Sequence, residues 1–193
     1  MSSTIIDIMR HGEPEGGRMY RGGGTDHTLS KAGWQQMRNS LQGMDPDWSA
    51  IVSSPMRRCR EFALDLARQK NLPCEVLEML REAGYGTWEG KTPRQLIAED
   101  ETAYWQFFDD PVNARPANAE PLASFTERVE QALNHVLETY QGEHILLVSH
   151  LAVTRAMIGI VLGMPLASQQ RIDMPFAGTL RLINDRKGLR LLF

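Results

Sequence analysis

The chain has two cysteines, Cys59 and Cys74, in 193 residues. They are too few for a disulfide framework and too far apart for a CxxC redox or metal clip, so free thiols, buried or partly buried, are expected. No apolar run approaches a membrane span, and Met1-Ser2-Ser3-Thr4 lacks the basic and apolar regions of a secretory leader. The expected location is the cytoplasm. An excess of charge of one sign is missing too: the formal net charge is -3, which argues against a nucleic-acid or membrane partner. An anionic ligand must therefore be attracted locally. There is no internal repeat, low-complexity tract or domain linker, and 42% hydrophobic residues suffice for a sizeable core. Residues 1–193 are expected to form one domain.

What is present is an alternation of strands and helices, which argues for a largely parallel sheet covered on both faces. Thr4 to Met9 reads as a strand running into Arg10-His11-Gly12-Glu13. Ser30 can cap a helix with apolar positions Trp34, Met37, Leu41 and Met44. Ala50 to Ser53 is a second strand, followed by a helix with Cys59, Phe62, Ala63 and Leu66 on one face. Cys74 to Leu80 suggests a third strand. Residues 84–121 differ in character, with an aromatic cluster of Tyr104, Trp105, Phe107 and Phe108 on a short helix, and they read as an excursion from the core. Leu122 to Tyr140 carries the stripe of a long amphipathic helix. Ile145 to Ser149 is a strand apolar on both faces, and the helix after His150 stops at Gly163 and Pro165. Thr179 to Ile183 and Leu189 to Phe193 form a hairpin.

Two apolar strands thus end in a histidine, His11 and His150. Ligands in open α/β sheets collect beyond the carboxyl ends of the strands, so both histidines are expected to face one crevice. Arg10 and Arg58 would bring guanidinium forks suited to a phosphoryl group. A neutral imidazole can attack phosphorus, and Gly12 lets backbone N–H groups approach closely. Glu13 can orient an imidazole or a neighbouring arginine, and His150 at a helix start sits where the dipole favours an anion. Taken singly, each has a plainer interpretation: a surface turn for Arg10-His11-Gly12, a satisfied core histidine for His150, a solvated arginine for Arg58. A leaving alkoxide also requires a proton, and spacing does not choose among Glu78, Glu82 and Glu89 as its donor.

Together these residues resemble the histidine phosphatase superfamily, which includes phosphoglycerate mutases, sugar bisphosphatases and many small phosphatases. Arg10-His11-Gly12-Glu13 matches its RHGE element, and Ser53-Ser54-Pro55-Met56-Arg57-Arg58 matches SSPLxRA. Leu80-Arg81-Glu82, with Gly86 and Trp88-Glu89-Gly90, resembles LxExxFGxWEG, and Val148-Ser149-His150 matches VSH. The resemblance implies a phosphoglycerate mutase-like three-layer α/β/α sandwich with a mostly parallel sheet. It implies that His11 is phosphorylated, that Arg10, Arg58 and His150 hold the phosphoryl group, and that Glu82 is the proton donor. It implies no cofactor and no metal. Looser patterns resemble the α-ribazole phosphatases of cobalamin biosynthesis: Glu15-Gly16-Gly17-Arg18, Tyr20-Arg21-Gly22, and Phe108-Asp109-Asp110-Pro111 leading to Glu120, Phe125 and Arg128. Arg21 and Glu120 would then be secondary phosphate or network residues.

The chain departs from the family at Gly17, where relatives carry an asparagine, at Leu151 and Ala152 in place of a Gly-Gly pair, and at Ala119. Leu151 would narrow the pocket mouth while keeping its backbone N–H. The implied activity is hydrolysis of a small-molecule phosphate ester, with α-ribazole 5'-phosphate as the implied substrate. A mutase or bisphosphatase calls for more basic residues than the Lys91, Arg94 and Arg115 of the excursion. A silent phospho-ligand binder and a metal hydrolase are the rivals of other classes, and the latter lacks HExxH or a clustered ligand set.

Overall fold

The computed structural model describes residues 2–42 and 46–192. Strand β1 (Thr4–Arg10) lies inside a six-stranded sheet, between β4 (His144–Ser149), which is parallel to it, and β5 (Thr179–Asp185), which is antiparallel. Beyond β4 come β2 (Ala50–Ser53) and β3 (Cys74–Val76), both parallel, and beyond β5 the hairpin partner β6 (Gly188–Leu192). The order is β3-β2-β4-β1-β5-β6. Ile145 to Val148 are wholly buried, as a strand covered on both faces requires.

Alternation along the strands divides the core in two. Ile6, Ile8, Ala50, Val52, Ile145 and Leu147 face α4 (Leu122–Thr139) and α5 (Leu151–Leu162). Met9, Ile51, Leu146 and Val148 face the other way, where Met37 of α1 (Lys31–Leu41) and Cys59, Phe62, Ala63 and Leu66 of α2 (Arg57–Lys70) pack on them. The result is the expected three-layer α/β/α sandwich. Both thiols are free, Cys59 buried and Cys74 half-buried. Ser30 caps α1, its side chain accepting from the Gly33 N–H at 3.0 Å. Met44 and Phe193, assigned to the α1 stripe and the last strand, lie outside the described residues.

Two boundaries depart from expectation. The third strand stops at Val76 instead of Leu80, because Leu77 and Leu80 are both buried, and a spacing of three turns the chain into a 3-10 helix over Glu78–Leu80. The aromatic cluster lies on a long helix rather than a short one: α3 (Pro93–Asp109) opens with a Thr92/Gln95 capping box and is kinked at Asp100, whose backbone is non-helical. Among the described residues no helix is long and apolar enough to cross a membrane.

Candidate active site

The register of β1 against β4 pairs Arg10 with Ser149, so the next residue of each strand, His11 and His150, emerges at the same sheet edge. The His11 N–H donates to the Ser149 carbonyl at 2.9 Å, and the two imidazole centroids lie 5.2 Å apart. The loop after β1 packs directly on α1. A Cβ at Gly12 would come within 2.2 Å of the Gly33 carbonyl oxygen, and one at Gly33 within 2.1 Å of the Glu13 carbonyl oxygen, which explains both glycines.

His11 is nearly buried. Its Nδ1–H donates to the Gly12 carbonyl at 2.7 Å, which leaves the Nε2 lone pair free. Burial first, then the Arg58 charge, holds its pKa well below the usual histidine value, so the ring is neutral. Burial also keeps His150 neutral, and its Nε2 lies 2.6 Å from Ser54 Oγ. Arg58, in the first turn of α2, is 0% exposed, with Nη1 donating to the Thr25 carbonyl at 3.0 Å. Among the described residues its Nε and Nη2 have no hydrogen-bond partner, and neither has Arg10 Nε. Arg10 is braced from the segment before β5: Nη1 donates to the Met174 carbonyl, and the guanidinium lies 4.4 Å from the Phe176 ring centroid. Burial raises the pKa of Glu82, against the Arg58 charge and the Ala83 and Ala152 N–H groups that pull it down.

These groups surround a cavity of about 150 Å³ lined by Arg10, His11, Glu82, Tyr85, Arg155, Phe176 and neighbours. Arg21 and Leu151 line it too, while Arg58 and His150, both fully buried, are not among its lining residues. Arg21 bends back on its own loop, donating to the Glu15 and Gly17 carbonyls, each at 2.6 Å, and to His27 Nδ1 at 3.1 Å. Glu13 is not among the lining residues. It is held through its backbone, its N–H donating to Gln36 and its carbonyl accepting from Ser30. Glu120 pairs with Arg128 at 2.7 Å rather than with a phosphate-site arginine.

The aromatic walls of the cavity come from outside the α3 cluster. Tyr20, Tyr85 and Phe176 line the cavity, whereas Tyr104, Trp105, Phe107 and Phe108 do not. Tyr104 and Phe107 are buried against Trp88, with centroids 5.5 and 5.0 Å from it, and Trp105 and Phe108 are exposed. Sequence reading also passed over Ser54 and Arg155. Arg155 had a signal: it is the lone charge on an otherwise apolar helix and stands four residues after Leu151, hence on the same face. Phe176 had none, because a single aromatic in an irregular loop has no period. Among the described residues, no three His, Cys, Asp or Glu side chains are grouped to hold a metal ion.

A neutral imidazole with a free Nε2, buried guanidinium groups beside it, and a carboxyl biased toward its acid form can carry phosphoryl transfer. A family model for the histidine phosphatase superfamily, branch 1, matches residues 6–193. The chain belongs to that superfamily and is a phosphatase. An adenosylcobalamin/α-ribazole phosphatase of Escherichia coli (strain K12) is 29% identical, the match covering 93% of this chain and 95% of the relative. The crystal structure of the α-ribazole phosphatase from Shigella flexneri matches with a TM-score of 0.85 at 26% identity, covering 97% of this chain and 94% of that one. Phosphoserine phosphatase 1 of Hydrogenobacter thermophilus is 28% identical over 83% of this chain and 77% of the relative.

Proposed function

We propose that this phosphatase hydrolyses a phosphate monoester in two in-line displacements through a phosphohistidine at His11, with α-ribazole 5'-phosphate as its substrate. The observation that carries the reaction is the free Nε2 of a neutral His11 beside the buried, partly unpartnered guanidinium of Arg58. Nε2 attacks phosphorus, the ester P–O bond breaks, and the leaving oxygen takes the Glu82 proton. Water then attacks the phosphohistidine, the P–N bond breaks, and the Glu82 carboxylate takes a proton from that water. Arg10, Arg58 and His150 hold the transferring oxygens, with Arg21 and the Leu151 N–H at the rim. Residues 84–121 act as a lid within one domain.

The substrate assignment is supported by the likeness to the E. coli enzyme and by the Tyr20, Tyr85 and Phe176 walls, which suit a planar leaving group. Rapid acid or base quenching during turnover of labelled substrate tests the reaction. Label is expected on His11, stable in base and labile in acid, and absent from His11→Ala. Near-normal turnover by His11→Ala would overturn it. Turnover of α-ribazole 5'-phosphate set against phosphoserine and phosphoglycerate tests the substrate, and a preference for either of the latter overturns that assignment.

A further inference from the structure

Glu82 sits on neither a strand nor an α-helix. One 3-10 turn ends at Leu80 and the next begins at Gly86, so residues 81–85 have no regular ladder of their own. A general acid must nevertheless keep its carboxyl within hydrogen-bond reach of the leaving oxygen. Something outside the segment has to fix it. Arg128, on the sheet-packed helix α4, reaches across to that segment. Its Nη1 donates to the carbonyls of Met79 at 2.8 Å and Arg81 at 2.7 Å, and its Nη2 donates to the carbonyl of Glu82 itself at 3.3 Å. Arg128 Nε and Nη2 also donate to the Glu120 carboxylate at 2.7 and 2.8 Å.

Glu120 grips the other side of the same turn. Its carboxylate accepts from the Gly84 N–H at 3.2 Å, and its own N–H donates to the Gly84 carbonyl at 3.0 Å. The pair therefore ties the chain at three carbonyls up to Glu82 and at both backbone groups of Gly84. Neither residue lines the cavity beside His11, so neither is placed to touch substrate there. The arginine fork matters in itself, because several donors in one rigid plane can span carbonyls that a single ammonium cannot.

We propose that Arg128, with Glu120, is the positioning clamp for the proton donor of this phosphatase. The proposal rests on the reading of Glu82 as general acid. Its consequence is selective. Loosening the clamp slows release of leaving groups that must be protonated and spares those that depart as stable anions.

The test is kcat/KM over a series of aryl and alkyl phosphates of rising leaving-group pKa, measured for the wild type, Glu82→Gln, Arg128→Lys and the double variant. This ratio reports steps up to leaving-group departure, so hydrolysis of the phosphohistidine does not enter it. Arg128→Lys is expected to lose about 30-fold or more on alkyl phosphates, a share of the roughly 10²–10⁴-fold that general acid catalysis supplies, and less than about 3-fold on a nitrophenyl ester. The double variant is expected to be no worse on alkyl phosphates than Glu82→Gln alone, since a clamp has no effect once the acid is gone. A uniform loss across the series, no loss at all, or losses that multiply in the double variant would overturn the clamp. If Glu82→Gln itself loses equally on all esters, the general-acid reading falls first and takes the clamp with it. Should Arg128→Lys not fold, Glu120→Gln carries the same series: selective loss supports the clamp and uniform loss rejects it.

Discussion

Burying an arginine short of acceptors is costly unless an opposite charge joins it. Arg58 is held in that condition, 0% exposed and bound among the described residues only to the Thr25 carbonyl. The arrangement is unfavourable for the empty protein and favourable for a phosphoryl group, which supplies charge and acceptors together. Arg58→Met, of similar length and without charge, is therefore expected to leave the melting temperature in phosphate-free buffer unchanged or higher. Its kcat/KM should fall by about 10²-fold or more, the usual loss when one donor to a transition-state oxyanion is removed. Inorganic phosphate should raise the melting temperature of the wild type and not of the variant, because a ligand stabilises only a state that binds it. Equal phosphate-induced shifts in the two proteins would remove Arg58 from the phosphate site. His11 shows the same economy: the Gly12 carbonyl that fixes its tautomer belongs to the very next residue, and the loop can lie so close to α1 only because Gly12 has no Cβ to meet Gly33 and Gly33 has none to meet Glu13.

At the scale of elements, the sequence was legible wherever a period was long enough to read. The α4 stripe and the doubly buried β4 follow directly from spacing, and the strand ends locate His11 and His150. Legibility ended where side chains act one at a time. Leu77 and Leu80 allow a strand or a 3-10 turn, and only their joint burial selects the turn. The α3 aromatics carry a helical period but no label for what they face. In the structure Tyr104 and Phe107 pack on Trp88 within the excursion, Tyr20 packs on Trp88 from outside it, and Tyr20 and Tyr85 link that aromatic layer to the cavity. Tyr85→Leu and Phe176→Leu are accordingly expected to lower kcat/KM for α-ribazole 5'-phosphate several-fold more than for a small alkyl phosphate. Trp105→Leu and Phe108→Leu should leave that ratio unchanged. A shift of the ratio by Trp105→Leu would return the exposed α3 face to the substrate path.

The whole molecule couples this site to acid stability, because His11 and His150 are kept neutral by the same burial that completes the core beneath them. Both have folded-state pKa values held well below 6.5 by burial and by the Arg58 charge. An unfolded histidine takes up its proton near pH 6.5. Below that pH the unfolded chain binds up to two protons that the folded chain refuses, so the stability these groups provide is complete above pH 6.5 and drains away as pH falls. Each contributes a slope of about 1.4 kcal/mol per pH unit. Glu82 works in the opposite sense. Its raised pKa means the folded state holds the proton longer, which favours folding below the unfolded value of 4.5 and is lost as pH rises through the folded pKa. Two histidines act against one carboxyl, so stability should fall as the solution is made acid. Urea midpoints in phosphate-free buffers from pH 7.5 to 5.5 give the test, with His150→Gln beside the wild type so that histidines outside the site cancel in the difference. The wild type should lose about 1.4 kcal/mol per pH unit more than His150→Gln below pH 6.5. Parallel curves for the two proteins would mean that His150 is protonated in the folded state, and that it meets the phosphoryl group as a cation rather than as a neutral donor.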